Sequence, residues 1–140
     1  MVSASETEYI LSRPEVRGVN LTGSEGAGRS IGALAGKYLK PSVLELGGND
    51  AFIVAHTSNI DRVAHEAVKA RISNNGQKCN SSKRFLVLDE YYDAFCEAFV
   101  RHTEALVIGD PMDPSTELGP LARADLVDEI HTQVQKTISE

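Results

Sequence analysis

Residues 72–87 read ISNNGQKCNSSKRFLV, and this stretch decides how the surrounding chain divides between helix and strand. Apolar residues at helical spacing lead into it, and the Asn-Asn-Gly triplet ends that periodicity. The following RFLV is a short apolar run typical of a strand. Cys79 is therefore predicted to lie in a polar turn between a helix and a strand.

Helix and strand patterns alternate on both sides of this turn. Strands are predicted at 16–21, 42–46, 51–55 and 84–90, and helices at 25–40, 59–73 and 90–106. A last helix is predicted to carry Leu126, Ile130, Val134 and Ile138. Ser24 is a natural N-cap for the first helix, and Pro41 ends it. We expect Leu39 on the buried face of that helix and Tyr92 on the buried face of the third. The alternation predicts an α/β fold.

Composition excludes several classes of function. The chain has 140 residues, 41% of them hydrophobic and 24% charged, and a formal net charge of −6 without a basic cluster. It can bury a core, and its charge argues against nucleic acid and anionic membranes as partners. No apolar run reaches membrane-spanning length, and the polar start lacks a signal-peptide segment, so we expect a cytoplasmic protein. Two cysteines and four scattered histidines predict no disulfide framework and no metal site.

Cys79 has two interpretations, a nucleophile or a small buried filler. Free cysteine is among the most buried residue types, so composition alone favours the filler. Cys96, flanked by Phe95 and Phe99, fits that interpretation well. The neighbours of Cys79 are all polar, and a cysteine in a turn after Gly76 can be reached by substrate while backbone N–H groups point at it.

Glu45 interrupts the apolar strand VLEL just before the Gly47-Gly48 turn. A carboxylate at a strand end is well placed to act as a general base. Strand alternation alone favours the other interpretation, in which Glu45 lies on a solvent face.

The segment TGSEGAG places Gly23 and Ser24 between a strand and a helix. Backbone N–H groups at a helix N-terminus bind phosphate oxygens, so this turn is a candidate cofactor-phosphate site. The signal is weak by itself because a glycine-rich turn is more often only a turn, and the spacing is not that of the common dinucleotide fingerprint.

Four motifs occur in order along the chain: TGSEGAGRSIGALAG, LKPSVLELGG, NNGQKC and GDPMDPSTELGPLAR. Together they resemble the aldehyde dehydrogenase superfamily, and the resemblance extends from about Pro14 onward. Within it, NLTGSEGAG, LELGGNDAFIV and SSKRFLV are most similar to the bacterial NAD(P)-dependent succinate-semialdehyde dehydrogenases.

The resemblance implies the catalytic roles. Cys79 would be the nucleophile that forms a thiohemiacetal and then a thioester with a small aldehyde. Glu45 would be the general base. The cofactor would be NAD or NADP, bound at Gly23 and Ser24, and the full-length enzyme would be a homo-oligomer.

The resemblance also implies how the chain is organised. Leu46 and Gly47 would line the nicotinamide pocket. Residues 1–41 would be the C-terminal end of an NAD(P)-binding domain and 42–140 the N-terminal part of a catalytic domain, so that the chain looks like the middle of an enzyme. Ser73 stands where some succinate-semialdehyde dehydrogenases have a substrate-binding arginine. The alternative to an active enzyme is an inactive remnant or a partner-dependent module.

Overall fold

The computed structural model describes residues 4–140, and its elements alternate between helix and strand. In chain order they are α1 (Ala4–Ser12), β1 (Val19–Thr22), α2 (Glu25–Lys37), β2 (Ser42–Glu45), β3 (Ala51–Val54), α3 (Ile60–Ile72), β4 (Arg84–Val87), α4 (Asp89–Glu104) and α5 (Ala124–Ser139). The predicted α/β class is confirmed. The chain divides into two compact units, of which the first ends at Gly48 and the second begins at Asn49.

The first unit is built on one parallel strand pair. β1 pairs with β2 in the register Val19↔Ser42 to Thr22↔Glu45, and α2 forms the crossover between them. The predicted cap is confirmed, because Ser24 Oγ accepts a hydrogen bond of 3.3 Å from the Ala27 N–H. The sequence did not predict α1, which contributes the buried Leu11.

The second unit repeats the arrangement with a larger core. β3 and β4 are parallel, and α3 and α4 pack against each other. The buried cluster consists of Val54, Ala64, Ala67, Phe95 and Ala98. Because three of these side chains are single methyl groups, the two helix backbones can approach closely while the aromatic ring fills the remaining space.

Two residues predicted to be buried are exposed. Leu39 is 92% exposed and adopts φ 52° just past the end of α2. The Lys40 N–H bonds Ala35 O and the Leu39 N–H bonds Gly36 O, a Schellman motif that turns the Leu39 side chain away from the helix face. Tyr92 is 55% exposed, because α4 directs the neighbouring Tyr91 toward the core instead.

The pairing of β2 determines where the first compact unit ends. β2 forms its hydrogen bonds with β1, so it belongs to the first unit, and the division falls after Gly48. The assignment of the parts to a cofactor-binding and a catalytic domain stays a prediction.

The last helix is amphipathic, but none of its residues is buried. Its exposed apolar side chains are Val127, Ile130, Val134 and Ile138. Among the helices of residues 4–140, none is both long enough and apolar enough to cross a membrane.

A charged contact joins the start of α3 to the end of α4. Asp61 accepts hydrogen bonds from Arg101 and, at 2.9 Å, from His102 Nε2. The His102 hydrogen bond chiefly holds the pKa of the Asp61 carboxyl below its ordinary value. A depressed carboxyl pKa contributes stability above the unfolded pKa, about 3.9, and this contribution is lost as the pH falls through the folded pKa.

Replacing Asp61 with asparagine is therefore expected to flatten the acid limb of the stability profile. The wild-type melting temperature should fall more steeply than that of Asp61→Asn as the pH drops below about 4. Thermal unfolding followed by circular dichroism at a series of pH values measures this difference.

The matched control for that experiment is Asp128→Asn on α5. The Asp128 side chain forms no ion pair within residues 4–140, so this variant should keep the wild-type slope. The slope should not vanish in Asp61→Asn, because the pKa of Asp113 is also lowered, chiefly by the Ser115 backbone N–H. Identical slopes for Asp61→Asn and the wild type would contradict the assignment.

Candidate functional site

The turn before Cys79 is built from left-handed backbone. Asn74 and Asn75 adopt φ 55° and Gly76 adopts φ 74°. Asparagine tolerates this region better than most residues. At Gly76 a Cβ would lie 2.9 Å from Arg71 Nη1 and 3.3 Å from the Arg71 carbonyl oxygen, so a larger residue would be strained and would displace the Arg71 side chain. These three residues end α3 and lead the chain into the cysteine turn.

Side chains of this turn bind a segment far away in sequence. Asn75 Oδ1 accepts from the Gly119 N–H at 3.0 Å, and Asn75 Nδ2 donates to the Pro120 carbonyl at 2.9 Å. Gln77 Oε1 accepts from the Ala122 N–H at 3.0 Å. Three hydrogen bonds therefore hold the start of the turn against residues 119–122.

Arg71 also forms a hydrogen bond with the turn. Its Nη1 donates to the Gly76 carbonyl at 3.1 Å. This contact ties the Arg71 guanidinium to the backbone of the cysteine turn.

Lys83 holds the other end of the turn. Its ammonium donates to the carbonyl oxygens of Lys78 at 3.1 Å, Cys79 at 2.8 Å and Ser81 at 2.8 Å. Neither Lys83 nor Asn75 was predicted from the sequence. An Asn-Asn-Gly triplet signals a left-handed turn, but nothing in the sequence indicates which carbonyls a lysine will bind.

The two cysteines differ in environment. Cys79 is exposed and Cys96 is half-buried. Cys96 lines an apolar cavity of about 270 Å³ with Phe85, Phe95 and Phe99. The filler interpretation is therefore wrong for Cys79, and Cys96 is the cysteine packed among apolar side chains.

In the first unit two predicted site residues, Gly23 and Glu45, meet at the carboxyl ends of β1 and β2. The Gly23 N–H donates to the Glu45 carbonyl oxygen at 3.0 Å, directly after the Thr22↔Glu45 pair. The side chain of Glu45 is exposed, as is every residue of β2, so strand alternation does not separate its two interpretations. The carboxyl edge of parallel strands is where ligands bind in open α/β sheets.

The chain after Glu45 packs on α2. A Cβ at Gly28 would lie 2.6 Å and 2.7 Å from the two Leu46 methyl groups, so the absent side chain is what lets Leu46 lie against the helix. Gly47 has open space around it. Gly23, Ser24, Glu45, Leu46 and Gly47 therefore lie in the first unit, whereas Cys79 lies in the second.

The start of α2 fits a cofactor phosphate. The Ala27 N–H donates to Ser24 Oγ, and the Gly28 N–H donates to the Ser24 carbonyl oxygen. The Glu25 and Gly26 N–H groups donate no hydrogen bond within residues 4–140. Two exposed backbone donors at a helix N-terminus suit an anion.

Adding a methyl group at Gly28 is expected to cost stability, although alanine favours a helix. Gly28→Ala should destabilise the first unit by about 1–2 kcal/mol through overpacking against Leu46. Gly36→Ala, in the same helix with nothing within 4 Å, should instead stabilise it by about 0.5–1 kcal/mol. Urea unfolding of both variants measures the difference. Equal effects would show that Leu46 does not pack tightly on the helix.

Comparison with known proteins gives one consistent result. Residues 2–140 match the sequence profile of the Aldehyde dehydrogenase family. Succinate-semialdehyde dehydrogenase (NADP+) 1 of Mycobacterium ulcerans is 51% identical over 134 residues, which are 96% of this chain and 29% of that protein. Its counterpart in Mycolicibacterium paratuberculosis is 48% identical over 139 residues, 99% of this chain and 29% of that protein.

Solved structures agree. The succinic semialdehyde dehydrogenase of Streptococcus pyogenes, solved in complex with NADP+, superposes with a TM-score of 0.90 at 41% identity, over 96% of this chain and 30% of that one. The chain thus spans less than a third of the length of these relatives.

Proposed function

Because this chain belongs to the aldehyde dehydrogenase family, we propose that it oxidises an aldehyde to a carboxylic acid with NADP+ or NAD+ as the hydride acceptor. The observation that carries the proposal is an exposed cysteine in a turn fixed from both ends, at the nucleophile position of the family motif. A reactive thiol needs this combination of access and order.

Succinate semialdehyde is the aldehyde we propose. The support is the identity of about half of the residues with enzymes named for that substrate. Position 73 is serine, whereas some succinate-semialdehyde dehydrogenases have a substrate-binding arginine there. Other residues would therefore bind the substrate carboxylate. The proposed cytoplasmic location and homo-oligomeric assembly rest on the family resemblance and the composition.

The first chemical step belongs to Cys79. Its thiolate forms a bond to the aldehyde carbon, and the carbonyl oxygen becomes an oxyanion that the Cys79 N–H can hold. When bound at Gly23 and Ser24, with the nicotinamide near Leu46 and Gly47, NAD(P)+ would supply the hydride acceptor that converts this thiohemiacetal into a thioester.

The second step belongs to Glu45. Its carboxylate takes a proton from water, and the resulting hydroxide attacks the thioester carbon. The C–S bond breaks, which releases the acid and returns Cys79 to the thiolate.

A second candidate is a partner-dependent module without activity of its own. The exposed apolar face of α5 favours it, because amphipathic helices usually bury such a face.

One experiment separates the two candidates. Purified chain is titrated with NADP+ and NAD+ by calorimetry, and succinate semialdehyde is then added while reduced cofactor is followed by absorbance. We expect binding followed by aldehyde-dependent reduction. Absence of both, with Cys79 still open to a thiol reagent, would reject activity of this chain and favour the module.

A further inference from the structure

We propose that Lys83 is a positioning residue that sets the direction of the Cys79 backbone N–H. This inference rests on the proposed function, in which that N–H holds the oxyanion. Lys83 itself need not touch the substrate, because it acts through the backbone of the cysteine turn.

The ammonium of Lys83 donates three hydrogen bonds. It has three N–H donors, and it contacts three carbonyl oxygens, those of Lys78, Cys79 and Ser81, at 2.8–3.1 Å. Hydrogen bonds from a charged donor are roughly twice as strong as neutral ones. The three carbonyl groups are therefore held toward one point.

The direction of the Lys78 carbonyl determines the direction of the Cys79 N–H, because both belong to one peptide group. A trans peptide is planar, with its C=O and N–H pointing in opposite directions, and the described chain has no cis peptide. Since the Lys78 carbonyl points at the ammonium, the Cys79 N–H of the same peptide points away from it. That N–H donates no hydrogen bond within residues 4–140, so it is available to a ligand.

A neighbouring lysine supplies a matched comparison. The ammonium of Lys78 lies at the same turn, but it donates to Ser73 Oγ at 2.8 Å and contacts none of the three carbonyls. Lys78→Met and Lys83→Met remove the same charge from the same turn. Only the second removes the charged hydrogen bond to the Lys78 carbonyl, whereas the Ser81 N–H, which donates to the same carbonyl at 3.3 Å, stays in both variants.

Two reagents separate orientation of the N–H from reactivity of the thiol. p-Nitrophenyl acetate acylates a thiolate through a tetrahedral oxyanion and releases p-nitrophenolate, whereas iodoacetamide alkylates it by displacing iodide and forms no oxyanion. Both rates are measured on the intact 140-residue chain by peptide mass spectrometry. Cys96 in the same digest reports any general loosening of the fold.

In Lys83→Met we expect acylation of Cys79 to slow by about tenfold or more, since a misdirected oxyanion donor weakens transition-state stabilisation. Alkylation should stay within about twofold of the wild-type rate. Lys78→Met should leave both rates within about twofold. Lys83→Arg, which keeps the charge and some donors, should show the same selective loss to a smaller degree, and it replaces the methionine variant if that protein does not fold.

Equal slowing of both reactions in Lys83→Met would overturn the inference, because it would indicate a change in the thiol itself. An equal loss of acylation in Lys78→Met would overturn it as well, in favour of a general charge effect. Neither reaction needs aldehyde or cofactor. A chain that fails to oxidise aldehydes therefore rejects the proposed function without deciding the role of Lys83.

Discussion

Cys79→Ala is expected to abolish aldehyde oxidation, with turnover falling by about 10⁴-fold or more, as when a covalent nucleophile is removed from other enzymes. The chain should nevertheless fold normally. Cys79 is exposed, so its loss should change the free energy of unfolding by no more than about 0.5 kcal/mol. Reduced-cofactor formation and urea unfolding of the same preparation measure the two effects.

The matched control is Cys96→Ala. This cysteine is half-buried beside Phe95 and Phe99, so the same substitution should lower stability while leaving turnover within about twofold of wild type. Residual activity of a tenth or more in Cys79→Ala would contradict its assignment as nucleophile. If Cys96→Ala lost turnover and Cys79→Ala did not, Cys96 on α4 would be the nucleophile instead.

Glu45→Gln is expected to stop the reaction after one half-cycle. The thioester should form at the normal rate and hydrolyse about 10²- to 10⁴-fold more slowly, because no base activates the water. Rapid-mixing absorbance should then show a burst of one reduced cofactor per active site, followed by near-zero turnover. Hydroxylamine, which cleaves thioesters without a general base, should restore turnover.

Glu15→Gln is the control for this experiment. Glu15 is an exposed carboxylate of the same unit that pairs with Arg13 at 3.5 Å, and its loss should leave both phases unchanged. A uniform slowing of the burst and the steady state in Glu45→Gln would place the defect before the thioester. That result would contradict the role of Glu45 as the base for hydrolysis.

Most helices and strands could be predicted from the sequence because interactions between residues close in the chain determine where they begin and end. The Ser24 cap and the end of α3 at the Asn-Asn-Gly triplet depend on neighbours within four residues, so both were visible in the sequence. The helix at Ala4–Ser12 was missed because its start is polar. Among residues 5–12 it contributes one buried side chain, Leu11, and only tertiary packing makes that burial favourable.

Contacts distant in sequence could not be predicted. The Asn75–Pro120 hydrogen bond joins positions 45 residues apart, and no local pattern specifies such a pair. Tyr91 and Tyr92 are chemically equivalent neighbours, and only the rotation of α4 about its axis decides which one faces the core. The sequence could therefore indicate Cys79 as a candidate nucleophile without showing what holds its turn.

An acyl group on Cys79 would be direct evidence of covalent catalysis at this residue. Glu45→Gln protein is mixed with succinate semialdehyde and NADP+, quenched in acid, digested and examined by mass spectrometry. We expect a succinyl group on the peptide that contains Cys79, and none when either aldehyde or cofactor is left out. An unmodified Cys79 peptide, or a succinyl group on Cys96, would contradict it.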